Sequence, residues 1–181
     1  NGVQTLLTTL KQDPYALETA HVSVITFDSS ARQAVPLTDL LSFQMPALTA
    51  SGTTSLGEAL TLTASSIAKE VQKTTADTKG DWRPLVFLMT DGSPNDDWRK
   101  GLNDFKAART GVVVACAAGH DADTSVLKEI TEIVVQLDTA DSSTIKAFFK
   151  WVSASISVGS QKVESSKKEV IGLEDLPPPP P

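Results

Sequence analysis

Two short segments of this chain carry residues able to do chemistry. The first, Leu85-Val86-Phe87-Leu88-Met89-Thr90-Asp91-Gly92-Ser93-Pro94, is a continuous apolar run that ends abruptly in Thr-Asp-Gly. Such a run reads as a strand buried on both faces of a parallel sheet. Asp91 then falls at the strand's carboxyl end, where open α/β sheets bind their ligands. The second segment, Ser51-Gly52-Thr53-Thr54-Ser55-Leu56-Gly57-Glu58, places hydroxyls on a loop that opens a helix. Hydroxyls and a carboxylate meeting at one sheet edge suit a small hard cation such as Mg²⁺, which takes oxygen ligands and keeps waters readily. Each residue also has a plainer reading. Asp91 fits a turn residue that caps the next helix or folds its loop, and Thr54 fits a helix cap.

The elements that must position these loops alternate along the chain. Apolar residues at 3, 6, 7 and 10 give an opening helical face, ended near Asp13-Pro14 because proline disfavours the α region before it. His21 to Phe27 reads as a strand, and a turn at Asp28-Ser29-Ser30 leads to a second at Gln33 to Leu37. So short a link predicts an antiparallel hairpin, with Pro36 on an edge. Thr38 to Leu41 is expected to form one helical turn capped by Thr38. A long helix follows from about 55 to 73, then a strand at 85–90 and a helix near 98–109. A strand at 112–118, a helix near 124–132, a strand at 133–137 and a closing helix from 142 to 157 complete the pattern. This alternation predicts an α/β fold, a doubly wound and mostly parallel sheet with helices on both faces. Residues 1–158 are expected to form the domain. Residues 159–181, polar and ending in Pro177 to Pro181, are expected to be a tail or linker.

Composition narrows the function. With 16 Lys and Arg against 22 Asp and Glu, the net charge is −6. No basic stripe is visible, so nucleic acid is not an expected partner. No apolar run approaches the ~20 residues of a membrane span. The single cysteine, Cys116, lies within Val112 to Ala118 and is expected to pack as a small buried hydrophobe. One thiol forms no internal disulfide, and a cytoplasmic location is expected. The phosphate-loop ending Gly-Lys-Ser/Thr, the Gly-x-Ser-x-Gly elbow and the Gly-x-Gly-x-x-Gly fingerprint are all missing, which argues against an enzyme. His120 with Asp121 and Asp123 suggests a second metal or acid–base group, but a loop role is the simpler reading. The chain opens at Asn1 and its first methionine is Met45, so an upstream segment is expected.

The spacing of these pieces resembles a von Willebrand factor type A domain over about residues 1–157. In that family the metal-ion-dependent adhesion site (MIDAS) combines an Asp-x-Ser-x-Ser loop after the first strand, a threonine before a helix and an aspartate after the fourth strand. Thr54 matches the threonine, with Thr53 as the off-by-one alternative, and Asp91 matches the aspartate. The resemblance implies a six-stranded sheet and a Mg²⁺ site, with Mn²⁺ or Ca²⁺ as substitutes. It implies a partner that offers an acidic side chain as the last ligand. Thr53, Ser55, Ser93 and Asn95 are expected to rim the site, although a solvated loop is the plainer reading for Ser93 and Asn95. The phrases Lys79 to Pro84, Thr54 to Gly57 and Phe149 to Ser155 are similar to the bacterial TerY-like group linked to tellurium resistance. That likeness implies a protein kinase and a PP2C-type phosphatase as partners. A Mg²⁺-dependent hydrolase, or a scaffold with a vestigial metal site, are the competing readings.

The chain departs from the family pattern in one element. No Asp-x-Ser-x-Ser occurs in it; Asp28-Ser29-Ser30 has the wrong spacing and follows what the resemblance makes the second strand. The family's first strand is central. Without it the hairpin at 21–37 is cut off from the strand at 85–90, leaving backbone groups unpaired. The first strand is therefore expected upstream of Asn1.

Overall fold

The computed structural model describes residues 2–48, 52–137 and 142–165, together with Pro178. Its elements in chain order are α1 (Gly2–Leu10), α2 (Pro14–Thr19), β1 (His21–Phe27), β2 (Ala31–Asp39), α3 (Leu56–Glu70), β3 (Val86–Thr90), α4 (Trp98–Ala107), β4 (Val113–Ala118), α5 (Thr124–Ile130), β5 (Val134–Leu137) and α6 (Ser142–Ser165). Apart from the short α2, which Asp13 caps just after the expected end of the opening helix, the helix–strand order is as the sequence pattern indicates. α6 continues past the expected end at 157, and the rest of the tail, including the proline run apart from Pro178, lies outside the described residues. Among the described residues no helix is long and apolar enough to cross a membrane.

The five described strands form two sheets rather than one. β1 and β2 make an antiparallel hairpin, while β3, β4 and β5 make a parallel sheet in that order. Both sheets nevertheless feed the same two apolar layers. In the first layer Val22, Val24, Phe87, Met89, Val114 and Cys116 pack with Leu6, Leu10, Phe148 and Val152 of α1 and α6. In the second, Phe27, Leu88, Ala115 and Ala117 pack with Leu56 and Leu60 of α3, Leu102 and Phe105 of α4, and Leu127 of α5. Alternate residues of β4 thus point to opposite faces, as the two-residue repeat of a strand requires. Burying each of the larger side chains contributes about 1.5–3 kcal/mol. Cys116 is fully buried, and loss of water pushes its thiol up to about 12.

Two local expectations change, and one contact has no counterpart among them. The run Val86 to Met89 is half-buried rather than buried on both faces, because β3 is an edge strand here while β4 has a neighbour on each side. Thr38 starts no helical turn. It pairs with Val22 in β2, its hydroxyl donates to Pro36 O at 2.7 Å, and the turn that follows is closed by Ser42 N–H on Asp39 Oδ1 at 2.9 Å. Strand pairing has overridden the local cap signal. That contact lies at the far end of the helix packed on the hairpin. Glu70, in the last turn of α3, accepts from Leu37 N–H at 2.6 Å and Gln33 Nε2 at 2.9 Å, so a helix side chain secures edge strand β2.

Helices α3 and α4 cross at glycines. A Cβ on Gly57 would stand 2.7 Å from Asp97 O, and one on Gly101 would run into the Gly57 carbonyl. Thr61 Oγ1 donates to Asp104 Oδ2 at 2.9 Å across the same crossing. Gly101→Ala should push the helices apart and lower stability by about 1–3 kcal/mol, read as a lower denaturation midpoint in urea at unchanged slope. α5 supplies a pH test. Asp123 caps it, accepting from Ser125 N–H at 2.9 Å and Val126 N–H at 3.3 Å, and the Ser125 hydroxyl first, with these amides, holds its carboxyl below the usual range. The folded value is depressed, so this contribution is complete above the unfolded value of about 3.9 and fades as pH falls through the still lower folded one. Asp123→Ala should therefore lower Tm at pH 7, and the difference from the parent should shrink below pH ~4.

Candidate metal site

The two loops singled out by residue type converge at the carboxyl end of β3. Thr54 N–H donates to Asn95 Oδ1 at 3.2 Å, and Asn95 N–H returns a bond to Thr54 O at 3.1 Å. A Cβ on Gly92 would stand 3.0 Å from Thr54 Oγ1, so the absence of a side chain there keeps the space beside that hydroxyl open. Asp91 is exposed immediately before Gly92. The structure brings Thr54 and the Asp91–Gly92 turn together, with Asn95 as the clasp.

Neither of the plainer roles is filled by these two residues. Ser55 occupies the N-cap position of α3 and makes no side-chain cap bond. The free amides of that helix are met instead by a carboxylate from the other loop, since Asp96 accepts from Gly57 N–H at 3.0 Å and Glu58 N–H at 2.9 Å. Thr54 is thereby relieved of capping. The N-cap of α4 is Asp97, also without a side-chain cap bond, so Asp91 does not cap that helix either. Its loop is closed by Gly92 N–H on Thr90 Oγ1 at 3.4 Å. Neither the Thr54 hydroxyl nor the exposed Asp91 carboxylate is committed to a cap.

The remaining expected residues take various places. Thr53 is exposed, and its N–H reaches Ser29 Oγ at 3.4 Å. Ser55 is only 7% exposed and so offers no surface to a partner. Its N–H donates to Asp28 O at 2.8 Å. Ser93 is exposed, and its hydroxyl donates to Asp121 O at 3.4 Å, which ties in the loop after β4. In the His120 to Asp123 stretch, Asp123 is committed to capping α5. Two roles have no local sequence signal. The cap that Asp96 provides joins positions 38 and 39 apart, so its residue type alone fits a solvated loop or a place on the rim. Asp28 and Ser29 looked like a plain hairpin turn, yet they brace Ser55 and Thr53, and Gly52 takes a φ of +88° against Ser29. The one available signal was a helix start, Ser55-Leu56-Gly57-Glu58, with an acid elsewhere free to cap it.

Which cation these atoms fit follows from their chemistry. Among the described residues no three His, Cys, Asp or Glu side chains gather as metal ligands. What is present is oxygen only: a neutral hydroxyl, a carboxylate and room for water. That set fits a hard divalent ion and forms part of a shell rather than a whole one.

A model of the von Willebrand factor type A domain matches residues 3–150. The chain belongs to that family, whose domains are metal-dependent, MIDAS-bearing protein-interaction modules. Among solved structures it is similar to proximal thread matrix protein 1 from the mussel byssus, at 18% identity and a TM-score of 0.62 over 83% of this chain and 41% of that one. A form of that protein with a zinc-occupied MIDAS motif matches at 17% identity and a TM-score of 0.52, over 83% of this chain and 40% of that one. A von Willebrand factor type A protein from Catenulispora acidiphila matches at 14% identity and a TM-score of 0.57, over 85% of this chain and 38% of that one. The chain thus spans about two fifths of the length of these relatives. The search of curated proteins found no match.

The capping bond gives a direct test of how the loops are joined. Asp96→Ala should cost about 1–2 kcal/mol and release both loops, read as faster hydrogen exchange at the Gly57 and Glu58 amides. Asp96→Asn should recover much of the loss, because an amide oxygen still accepts. Unchanged exchange in the alanine variant would show that the loops are held by other means.

Proposed function

We propose that this chain is a metal-ion-dependent protein-binding adaptor, with Thr54 and Asp91 contributing to a Mg²⁺ site and with no catalytic turnover. The observation that carries the reading is the release of both side chains from structural work, Thr54 by the cap that Asp96 provides and Asp91 by the turn bond that Thr90 provides. Asn95 sets the Thr54 backbone against the β3 loop, and Gly92 keeps the space at the hydroxyl clear. Bound Mg²⁺ would supply an electrophilic position for a carboxylate from the partner, its charge little reduced by so few anionic ligands. Thr53, Ser93 and Asn95 are exposed around this point and form the rim a partner would meet. Zinc in the MIDAS of the mussel relative supports a divalent ion here, and the oxygen-only donor set favours Mg²⁺ over zinc.

The finer reading extends the same logic. A sixth strand seated between β1 and β3 joins the two sheets into one, and an Asp-x-Ser-x-Ser loop at its end completes the ligand shell. The two apolar layers shared by both sheets, and the half-buried state of β3, support that arrangement. Residues 1–158 form the binding unit in this reading and 159–181 a linker. The likeness of the phrases at 54–57, 79–84 and 149–155 to the TerY-like group supports a reading of the adaptor as a cytoplasmic part of bacterial tellurium resistance or stress signalling, with a kinase and a PP2C-type phosphatase as partners.

Capture of such a partner should require Mg²⁺ and be lost on adding EDTA. Thr54→Ala and Asp91→Ala should each weaken it by roughly tenfold or more, equivalent to ~1.4 kcal/mol, while Tm stays nearly constant. Capture indifferent to chelation and to both substitutions would overturn the adhesion reading. Phosphoester turnover abolished by Asp91→Ala would replace it with hydrolysis.

A further inference from the structure

The end of the molecule remote from these loops holds a cavity bordered by cations. Strands β3 and β4 begin there, and Gly111 N–H bonds Pro84 O at 2.9 Å to join their entry segments. Helices α3 and α4 end there, with Lys69 and Lys106 in their last turns. Those two lysines suit the partial negative charge of helix C-termini. Beyond them a cavity of about 100 Å³ opens, with Ala64, Ile67 and Ala107 in its apolar wall and Lys73, Arg83 and Arg109 also lining it. Asp81, the one acid that lines it, already accepts from Gln72 N–H at 2.8 Å. Among the described residues none of the three cations has an ion-pair partner. Unpaired positive charge concentrated around one cavity stands out on a chain of net charge −6.

From this cavity we infer a docking site for an acidic peptide that inserts one aliphatic side chain between flanking carboxylates. Size decides against a metabolite or nucleotide, since sites for drug-sized ligands run to roughly 300–1,000 Å³. A volume near 100 Å³ accepts a single side chain, and the apolar wall specifies that it be aliphatic. The cations specify what lies on either side of it. Arg83 and Arg109 present guanidinium forks that match carboxylates bidentately, and Lys73 adds a point charge. Clustered positive charge also speeds the approach of an acidic partner. This surface is separate from the metal site, so the chain engages an acidic peptide here without any ion.

The test uses the whole 181-residue chain and a fluorescent Glu-Asp-Leu-Asp-Glu peptide followed by anisotropy in EDTA. Binding should be saturable and should weaken as salt rises. Replacing the peptide's leucine by alanine should weaken it about fivefold or more. Arg83→Ala combined with Arg109→Ala should weaken it at least tenfold at unchanged Tm. Ala107→Leu, which fills the wall but keeps every charge, should block it. Equal affinity for the alanine peptide, or full binding by the Ala107→Leu variant, would reduce the effect to charge alone and overturn the assignment. Stronger competition by single-stranded DNA than by unlabelled peptide would reassign the surface to nucleic acid. Self-association of the chain that the double arginine variant abolishes would reassign it to a second copy.

Discussion

Helix α3 begins with amide groups that its own sequence does not satisfy, and the arrangement of the site follows from how they are met. Ser55 stands at the N-cap without bonding inward, so Gly57 and Glu58 N–H turn to Asp96 on the loop between β3 and α4. A carboxylate at a helix N-terminus gains from both the hydrogen bonds and the helix dipole. Because donor and acceptor belong to different loops, the cap doubles as a clamp. It fixes the hydroxyl loop against the β3 loop, and the reciprocal pair between Thr54 and Asn95 sets their register. Side chains next to the clamp are then free to serve a ligand.

The same helix holds the rest of the sheet layer together. At its start Ser55 N–H reaches back to Asp28 O, and at its end Glu70 receives Leu37 N–H and Gln33 from β2. The hairpin is thus tied to α3 at both ends while making no ladder with β3. Glycines at 57 and 101 let α4 approach α3 at backbone distance, which carries Asp96 to within bonding range of the helix start. The crossing and the cap are coupled. A wider helix separation stretches the bonds that define the site, so a packing change at Gly101 is felt at Thr54.

Much of the fold was legible because its signals are local. The apolar run at 85–89 could only be a strand, and apolar residues at helical spacing gave α1, α3 and α6. Thr54 and Asp91 stood out because a hydroxyl-rich helix start and a Thr-Asp-Gly strand end belong together in one family. What escaped was long-range. Asp96 caps a helix 38 and 39 positions away, whereas sequence signals for caps are read within one turn. Thr38 carried a local cap signal, but pairing with Val22 outweighed it. The half-buried state of β3 depends on which strand lies beside it, a property of the sheet and not of the run itself.

The placement of individual charges relative to the helix caps completes the physical picture. Asp28, Asp91, Asp96, Asp97, Asp121 and Asp123 sit on loops at the end that carries the candidate site, with Arg99 and Lys100 in the first turn of α4, whereas Lys73, Arg83 and Arg109 line the cavity at the other end, which also carries Glu70 and Asp81. At the site end the carboxylates of Asp96 and Asp123 are consumed by helix amides, whereas Asp91 is held back from any cap. Negative charge around an uncommitted carboxylate concentrates cations and repels other anions, and a divalent ion held there would reverse the local sign. The cations that line the cavity at the other end sit among apolar side chains and Asp81, whose carboxylate already accepts from Gln72 N–H, so the two ends differ in how far their charged groups are committed to the backbone.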